Sequence, residues 1–165
     1  MQSKETALAA VPYIVGRYKD DMIAAEGSNL VIQTLADFRY ELRRFNQFSE
    51  QAAQRQGVHT KQYQLLLQVA GAPREARVTI AYAAERMGLK HNSMVELVDR
   101  SEKQGLLKRG EDPDDRRRTL LFVTRKGHQL LSRLADEHAR ELTERAPRMM
   151  NALEHLRRHA QKEPE

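Results

Sequence analysis

The sequence contains no cysteine and no tryptophan, and only 5% of its 165 residues are aromatic. Without cysteine the chain cannot form disulfides, bind metal through thiolates or use a thiol redox switch. Few aromatic residues also disfavour RNA binding by base stacking. No apolar run approaches the roughly 18 to 20 residues that a membrane-spanning helix needs. We therefore expect a cytoplasmic protein without a membrane partner.

Enzyme signatures are also missing. The chain has no G-x-x-x-x-G-K-[ST] phosphate loop, no H-E-x-x-H motif and no G-x-S-x-G elbow, so we expect neither catalysis nor a cofactor. His155 and His159 have the i, i+4 spacing of two metal ligands, but no third ligand is evident nearby. We expect no metal site.

Charge alone says little about the partner. The chain has 28 basic and 23 acidic residues, a net charge of +5, spread without a basic block. An apolar fraction of 40% and a charged fraction of 31% are ordinary for a globular domain, and the length suits one domain. The charge favours nucleic acid only slightly over other partners.

Few glycines and prolines interrupt the chain, and they mark the ends of periodic segments. The pattern predicts, in order, an arm (1–28), a long helix (29–56), a buried helix (60–70), two short helices (79–88 and 90–104), two strands (106–109 and 119–124) and a helix from Thr124 that Pro147 breaks or restarts. Thr60, Thr79 and Thr124 are predicted to begin or cap helices. Two short helices, a glycine turn and a hairpin predict a winged helix-turn-helix in a mainly α fold.

Three stretches resemble one family. Ala84–Leu89 is similar to the first helix and turn of the winged helix in MarR-type transcriptional regulators. Val98–Leu107 resembles the end of their recognition helix and the first wing strand, and Asp112–Arg118 resembles their wing. The stretches occur in the family's order, and the resemblance covers roughly residues 30–142. Two positions depart from the common pattern: Ser101 replaces a leucine, which predicts looser packing, and Glu96 replaces a basic or hydroxyl residue.

The resemblance implies a homodimer that binds a palindromic operator in duplex DNA. Beyond the arm (1–28), it implies a helical dimerisation region (29–72 and 125–165) and a DNA-binding lobe (73–124). It also implies a repressor that a small aromatic or anionic ligand releases. The alternative is a winged helix that docks a protein and does not bind DNA.

The candidate DNA contacts lie on the recognition helix and the wing. They are Lys90, His91, Asn92, Ser93, Arg100, Arg116, Arg117 and Arg118. Asn pairs well with adenine, and arginine suits a narrow minor groove. In the family pattern Asp115 pairs with Arg117 and holds an arginine side chain in position.

Simpler roles remain open for several of these residues. Asn92 is an acceptable helix N-cap, and Ser93 with Glu96 fits a capping box. Arg100 has the spacing to pair with Glu96, and the wing charges could merely compensate one another in solvent.

Candidate ligand contacts come from the first two helices. Tyr40, Arg44 and Tyr63 supply polar groups there, and the Arg44 guanidinium could pair with a carboxylate. The alternative is that these residues form ordinary amphipathic-helix surface.

Overall fold

The computed structural model describes the backbone of residues 11–161 and the side chains of residues 29–161. Within this range it contains five α-helices and one antiparallel hairpin. They are α1 (Val11–Arg55), α2 (Thr60–Ala70), α3 (Ile80–Met87), α4 (His91–Lys103), β1 (Leu107–Glu111), β2 (Thr119–Val123) and α5 (Arg125–Ala160). The mainly helical fold class with a hairpin wing is confirmed.

Two helix boundaries differ from the sequence prediction. Residues 11–28 of the predicted arm are helical and continuous with α1, whereas residues 1–10 lie outside the described range. Pro12 falls in the first helical turn, where a missing N–H is tolerated. The predicted break at Pro147 is wrong, because α5 continues through it. A proline costs a helix interior about 3 kcal/mol, and tertiary packing routinely overrides such local preferences.

The chain divides into two compact units. Among the described residues, the helical unit comprises residues 11–44 and 145–161, and the winged-helix unit comprises residues 45–144. The main hydrophobic core lies in the winged-helix unit. Its largest fully buried apolar side chains are Leu65, Leu66, Met94, Val98, Leu106, Leu107 and Leu134. The predicted division into dimerisation and DNA-binding regions remains a functional prediction.

Local chemistry shapes the helix-turn-helix. The Thr79 hydroxyl accepts a hydrogen bond from the Tyr82 backbone N–H at 3.2 Å, so the predicted start of the third helix is confirmed. Gly88 ends α3 at φ 60°, a left-handed conformation that glycine adopts without a steric penalty. The turn therefore leads directly into α4.

The cap predicted for α2 at Thr60 is wrong, and so are the alternative caps of α4 at Asn92 and Ser93. His59, not Thr60, precedes α2, and its backbone N–H donates to the Gln62 side chain at 3.2 Å. Lys90 precedes α4, because its backbone is still extended while its carbonyl accepts from the Met94 N–H at 3.0 Å. Asn92 and Ser93 therefore lie inside the first turn of α4, and neither is its N-cap.

The wing is a hairpin that begins and ends close to the core. Leu107 pairs with Val123 and Glu111 with Thr119, which leaves residues 112–118 as the loop. Thr124 caps α5 as predicted, because its hydroxyl accepts from the Gly127 N–H at 3.1 Å. A Cβ on Gly127 would lie 2.3 Å from the carbonyl oxygen of Leu106, so only glycine allows this approach. The hairpin is thereby held against the start of α5.

Ser101 lies in the core and has no exposed surface. Its hydroxyl donates to the Leu97 carbonyl of the same helix at 2.8 Å. The polar group is therefore satisfied within α4, which is what its burial requires. Within the described part of the chain, no helix has the length and apolar character needed to cross a lipid bilayer.

Candidate nucleic-acid interface

The first turn of α4 presents polar side chains to solvent. Lys90, His91, Asn92 and Ser93 are all exposed. Met94, Leu97 and Val98 point the other way and are buried in the core. This is the arrangement that a recognition helix needs, because an apolar face anchors the helix while its N-terminal residues can reach base edges.

The wing loop exposes three consecutive arginines. Arg116, Arg117 and Arg118 all lie on its surface. Asp115 accepts from the Arg117 backbone N–H at 3.1 Å and forms its ion pair with the Arg118 side chain, at 3.2 Å. Asp115 therefore orients the loop, but its side-chain partner is Arg118. Among residues 29–161, no ion pair involves the guanidinium of Arg116 or Arg117.

Arg109 on β1 is a site residue that sequence reasoning missed. Its guanidinium contacts Asp99 at 2.6 Å and also pairs with Glu102, both on α4. Its backbone N–H donates to Glu102 at 3.1 Å. Burial acts to lower the pKa of Arg109, but the hydrogen bonds to the two carboxylates outweigh it and raise this pKa above its ordinary value. Arg109 thus fixes the wing to the recognition helix and offsets two acids that would repel phosphate.

Arg100 is exposed on α4 and lines a cavity of about 560 Å³ in the winged-helix unit. No ion pair joins Arg100 to Glu96 among the described side chains, so the alternative pairing does not occur there. Leu97 and polar residues of α1 and α2 complete the lining, among them Asn46, Ser49, Glu50, Thr60, Lys61 and Gln64. None of these polar residues was predicted from the sequence to line a cavity, although Asn46, Ser49 and Glu50 have a helical spacing that places them on one face.

The three predicted ligand residues occupy different environments. Tyr40 and Arg44 lie on the helical unit, where the Arg44 guanidinium donates to the Tyr40 hydroxyl at 3.2 Å. Tyr63 belongs to the core of the winged-helix unit, with its ring centroid 4.6 Å from that of His138. Burial raises the pKa of Tyr63. None of the three lines the cavity beside Arg100.

Known proteins are similar to this chain in sequence and in architecture. The MarR family model matches residues 56–118. A Thauera aromatica protein, named as a transcriptional regulatory protein for the hcr operon, is 30% identical over 114 residues, which span 69% of this chain and 67% of that protein.

Two solved structures are informative in different ways. CouR from Rhodococcus jostii RHA1, crystallised with p-coumaroyl-CoA, is 28% identical with a TM-score of 0.51, and the match covers 57% of this chain and 64% of CouR. The MepR–DNA complex of S. aureus is 17% identical with a TM-score of 0.61, covers 76% of this chain and 89% of MepR, and supports the fold alone.

The helix-turn-helix, the hairpin and these similarities define a winged-helix transcriptional regulator. The chain belongs to the MarR family.

Proposed function

We propose that this protein is a homodimeric repressor that binds a palindromic operator in duplex DNA. One observation carries the proposal: the exposed polar turn of α4 belongs to the same compact unit as Arg116 and Arg117, whose guanidinium groups form no ion pair with another described side chain. Recognition helices of such dimers enter successive major grooves about 34–36 Å apart.

The roles of the residues follow from their chemistry. Asn92 reads adenine in the major groove, and His91 contacts a neighbouring base edge. Lys90 and Ser93 contact phosphate, aided by the uncapped N–H groups at the start of α4, which favour anions. The wing arginines enter the adjacent minor groove, where narrow A·T-rich sequence concentrates negative potential.

Exposed apolar side chains on the helical unit support dimerisation. Four large apolar side chains on the long helices α1 and α5 have between 51% and 66% of their surface exposed. They are Leu30, Ile32, Met150 and Leu153. Exposed apolar side chains on both helices can be covered by another molecule, and a second copy is the partner that a palindromic operator requires. Sedimentation equilibrium should give twice the mass of the chain.

The cavity beside Arg100 supports control by a small ligand. Arg100 and Lys61 both line it and can pair with an anionic group, while Leu97 offers an apolar wall. A ligand releases DNA only if it binds the DNA-incompetent state more tightly. Because CouR is crystallised with p-coumaroyl-CoA, aromatic acids and their CoA thioesters are the first compounds to test in a thermal-shift screen.

The central test is fluorescence anisotropy with labelled DNA from upstream of the protein's own gene. A scrambled duplex of the same length and composition is the control, and both are titrated at 50 and 200 mM salt. Tighter binding to the upstream DNA supports the proposal. Failure to bind either duplex would favour the alternative, a winged helix that docks another protein.

A further inference from the structure

A strand-like segment before α3 runs alongside the wing. The Leu121 backbone N–H donates to the Val78 carbonyl at 2.8 Å, and Thr79 forms an isolated antiparallel bridge with Leu120. Residues 78 and 79 therefore attach to the outer edge of β2. Arg77 directly precedes this attachment, and its side chain reaches the loop of the hairpin.

Arg77 pairs with two acids of that loop. Its Nη1 lies 3.1 Å from Asp112 Oδ1, and its Nη2 contacts the Asp114 carboxylate. The Asp112 side chain is only 1% exposed, whereas that of Asp114 is 71% exposed. The guanidinium thus bridges one buried and one exposed carboxylate, as its fork of donors allows.

Asp112 forms the hydrogen bonds that close the wing loop. Its carboxylate also accepts from the Asp114 N–H at 3.0 Å. Its own N–H donates to the Arg118 carbonyl at 3.1 Å, and its carbonyl accepts from the Asp115 N–H at 3.3 Å. These bonds join the two ends of the loop that carries Arg116 and Arg117. A change at Asp112 or at its cationic partner is therefore transmitted to the wing arginines.

The pairing also changes the charge that DNA meets. Residues 111–118 contain four acids and three arginines, so the wing by itself is not cationic. Arg77 offsets two of these acids, and Arg118 pairs with Asp115. The guanidinium groups of Arg116 and Arg117 are then left to attract phosphate.

We propose that Arg77 is a positioning residue for DNA binding: it holds Asp112 and Asp114, sets the conformation of the wing loop and acts on DNA through Arg116 and Arg117. This inference rests on the proposed DNA-binding function. Arg77 precedes Asp112 by 35 residues in the sequence, and no sequence motif marks it.

In the variant Asp112→Asn, the direction of the change in DNA affinity distinguishes a positioning role of Arg77 from direct contact with DNA. If Arg77 itself bound phosphate, removing the Asp112 charge would release Arg77 and tighten binding. If Arg77 acts through Asp112, the substitution weakens binding although it removes a negative charge from a DNA-binding loop. Loss of one phosphate contact on each of the two wings of a dimer corresponds to about a 60-fold weaker affinity at 0.1 M salt.

Arg77→Gln and Arg77→Lys provide the second arm, with Arg74→Gln as the matched control. Arg74 lies in the same connecting segment and is exposed, and no ion pair of its side chain is found within residues 29–161. We expect Arg77→Gln to weaken binding far more than Arg74→Gln. Arg77→Lys should behave like Arg77→Gln, because an ammonium is a point charge that lacks the bidentate fork.

Amide hydrogen exchange on the free full-length protein checks the conformation without DNA. Arg77→Gln should increase exchange at residues 112–118 and leave α2 and α5 protected. Equal DNA affinities for Arg77→Gln and Arg74→Gln, or tighter DNA binding by Asp112→Asn, would overturn the inference. Specific DNA binding by the wild-type protein would still support the proposed function in that case. If the wild-type protein bound no duplex, the proposed function and this inference would both be wrong.

Discussion

Arg117→Ala is the most direct test of the wing. The Arg117 side chain is exposed, and its only hydrogen bond found among the described residues is made by its backbone N–H to Asp115. Truncation at Cβ leaves that backbone bond intact. We therefore expect the loop to keep its conformation and the fold to keep its stability, so that the change in DNA affinity reports the missing guanidinium.

The size of the effect follows from counterion release. Each phosphate contact contributes about 0.9 to the slope of log K against log [salt]. A dimer presents two wings, so the slope should become shallower by about 1.8. Because raising the salt from 50 to 200 mM is a fourfold change, the variant should lose about twelvefold less affinity than the wild type across this range.

Anisotropy titrations at several salt concentrations measure this slope on upstream and scrambled duplexes. Arg140→Ala is the control, since it removes an equal charge from α5, on neither the recognition helix nor the wing. The wing assignment predicts a loss on both duplexes for Arg117→Ala and an unchanged slope for Arg140→Ala. An unchanged slope for Arg117→Ala, with normal thermal unfolding, would show that this arginine does not contact phosphate.

Three further predictions concern recognition, the core and acid stability. Asn92→Ala should reduce discrimination between upstream and scrambled DNA by about 1–3 kcal/mol, and equal losses on both duplexes would contradict base reading. Leu134→Ala removes a fully buried side chain and should lower the free energy of unfolding in urea by about 2–5 kcal/mol. The hydrogen bond from Arg145 outweighs the effect of burial and, together with Arg148, lowers the pKa of Glu41 from its ordinary 4.5. The ionised Glu41 therefore stabilises the folded state above pH 4.5, and this stabilisation is lost as the pH falls through the lowered pKa. Thermal unfolding between pH 7 and 3 should therefore show a shallower acid loss for Glu41→Gln, and identical profiles would contradict this.

Local features of the fold could be predicted because their causes are local. The hydroxyl groups of Thr79 and Thr124 and the conformation of Gly88 act within one turn of chain, and hydrophobic periodicity separates helix from strand. The break predicted at Pro147 is wrong for a physical reason. A proline sets a local preference of a few kcal/mol, and its position in the helix and the surrounding packing decide whether the helix ends.

The candidate DNA residues could be placed on the right elements for a similar reason. Exposure of Asn92 and burial of Met94 follow from helical spacing once the start of α4 is known. Their contacts with DNA remain predictions. The cavity beside Arg100 could not be predicted, because it is formed by parts of α1, α2 and α4 whose approach depends on packing.

The sequence by itself determined the order of helices and strands, the winged-helix motif and the family resemblance. Only the tertiary structure decided which charges meet. It pairs Arg109 with Asp99 and Glu102, and it brings Arg77 to Asp112 across 35 residues of chain. The physical reason is that an ion pair depends on the distance between two side chains, and for residues far apart in sequence the folded core sets that distance. A charge total of +5 contains no such information.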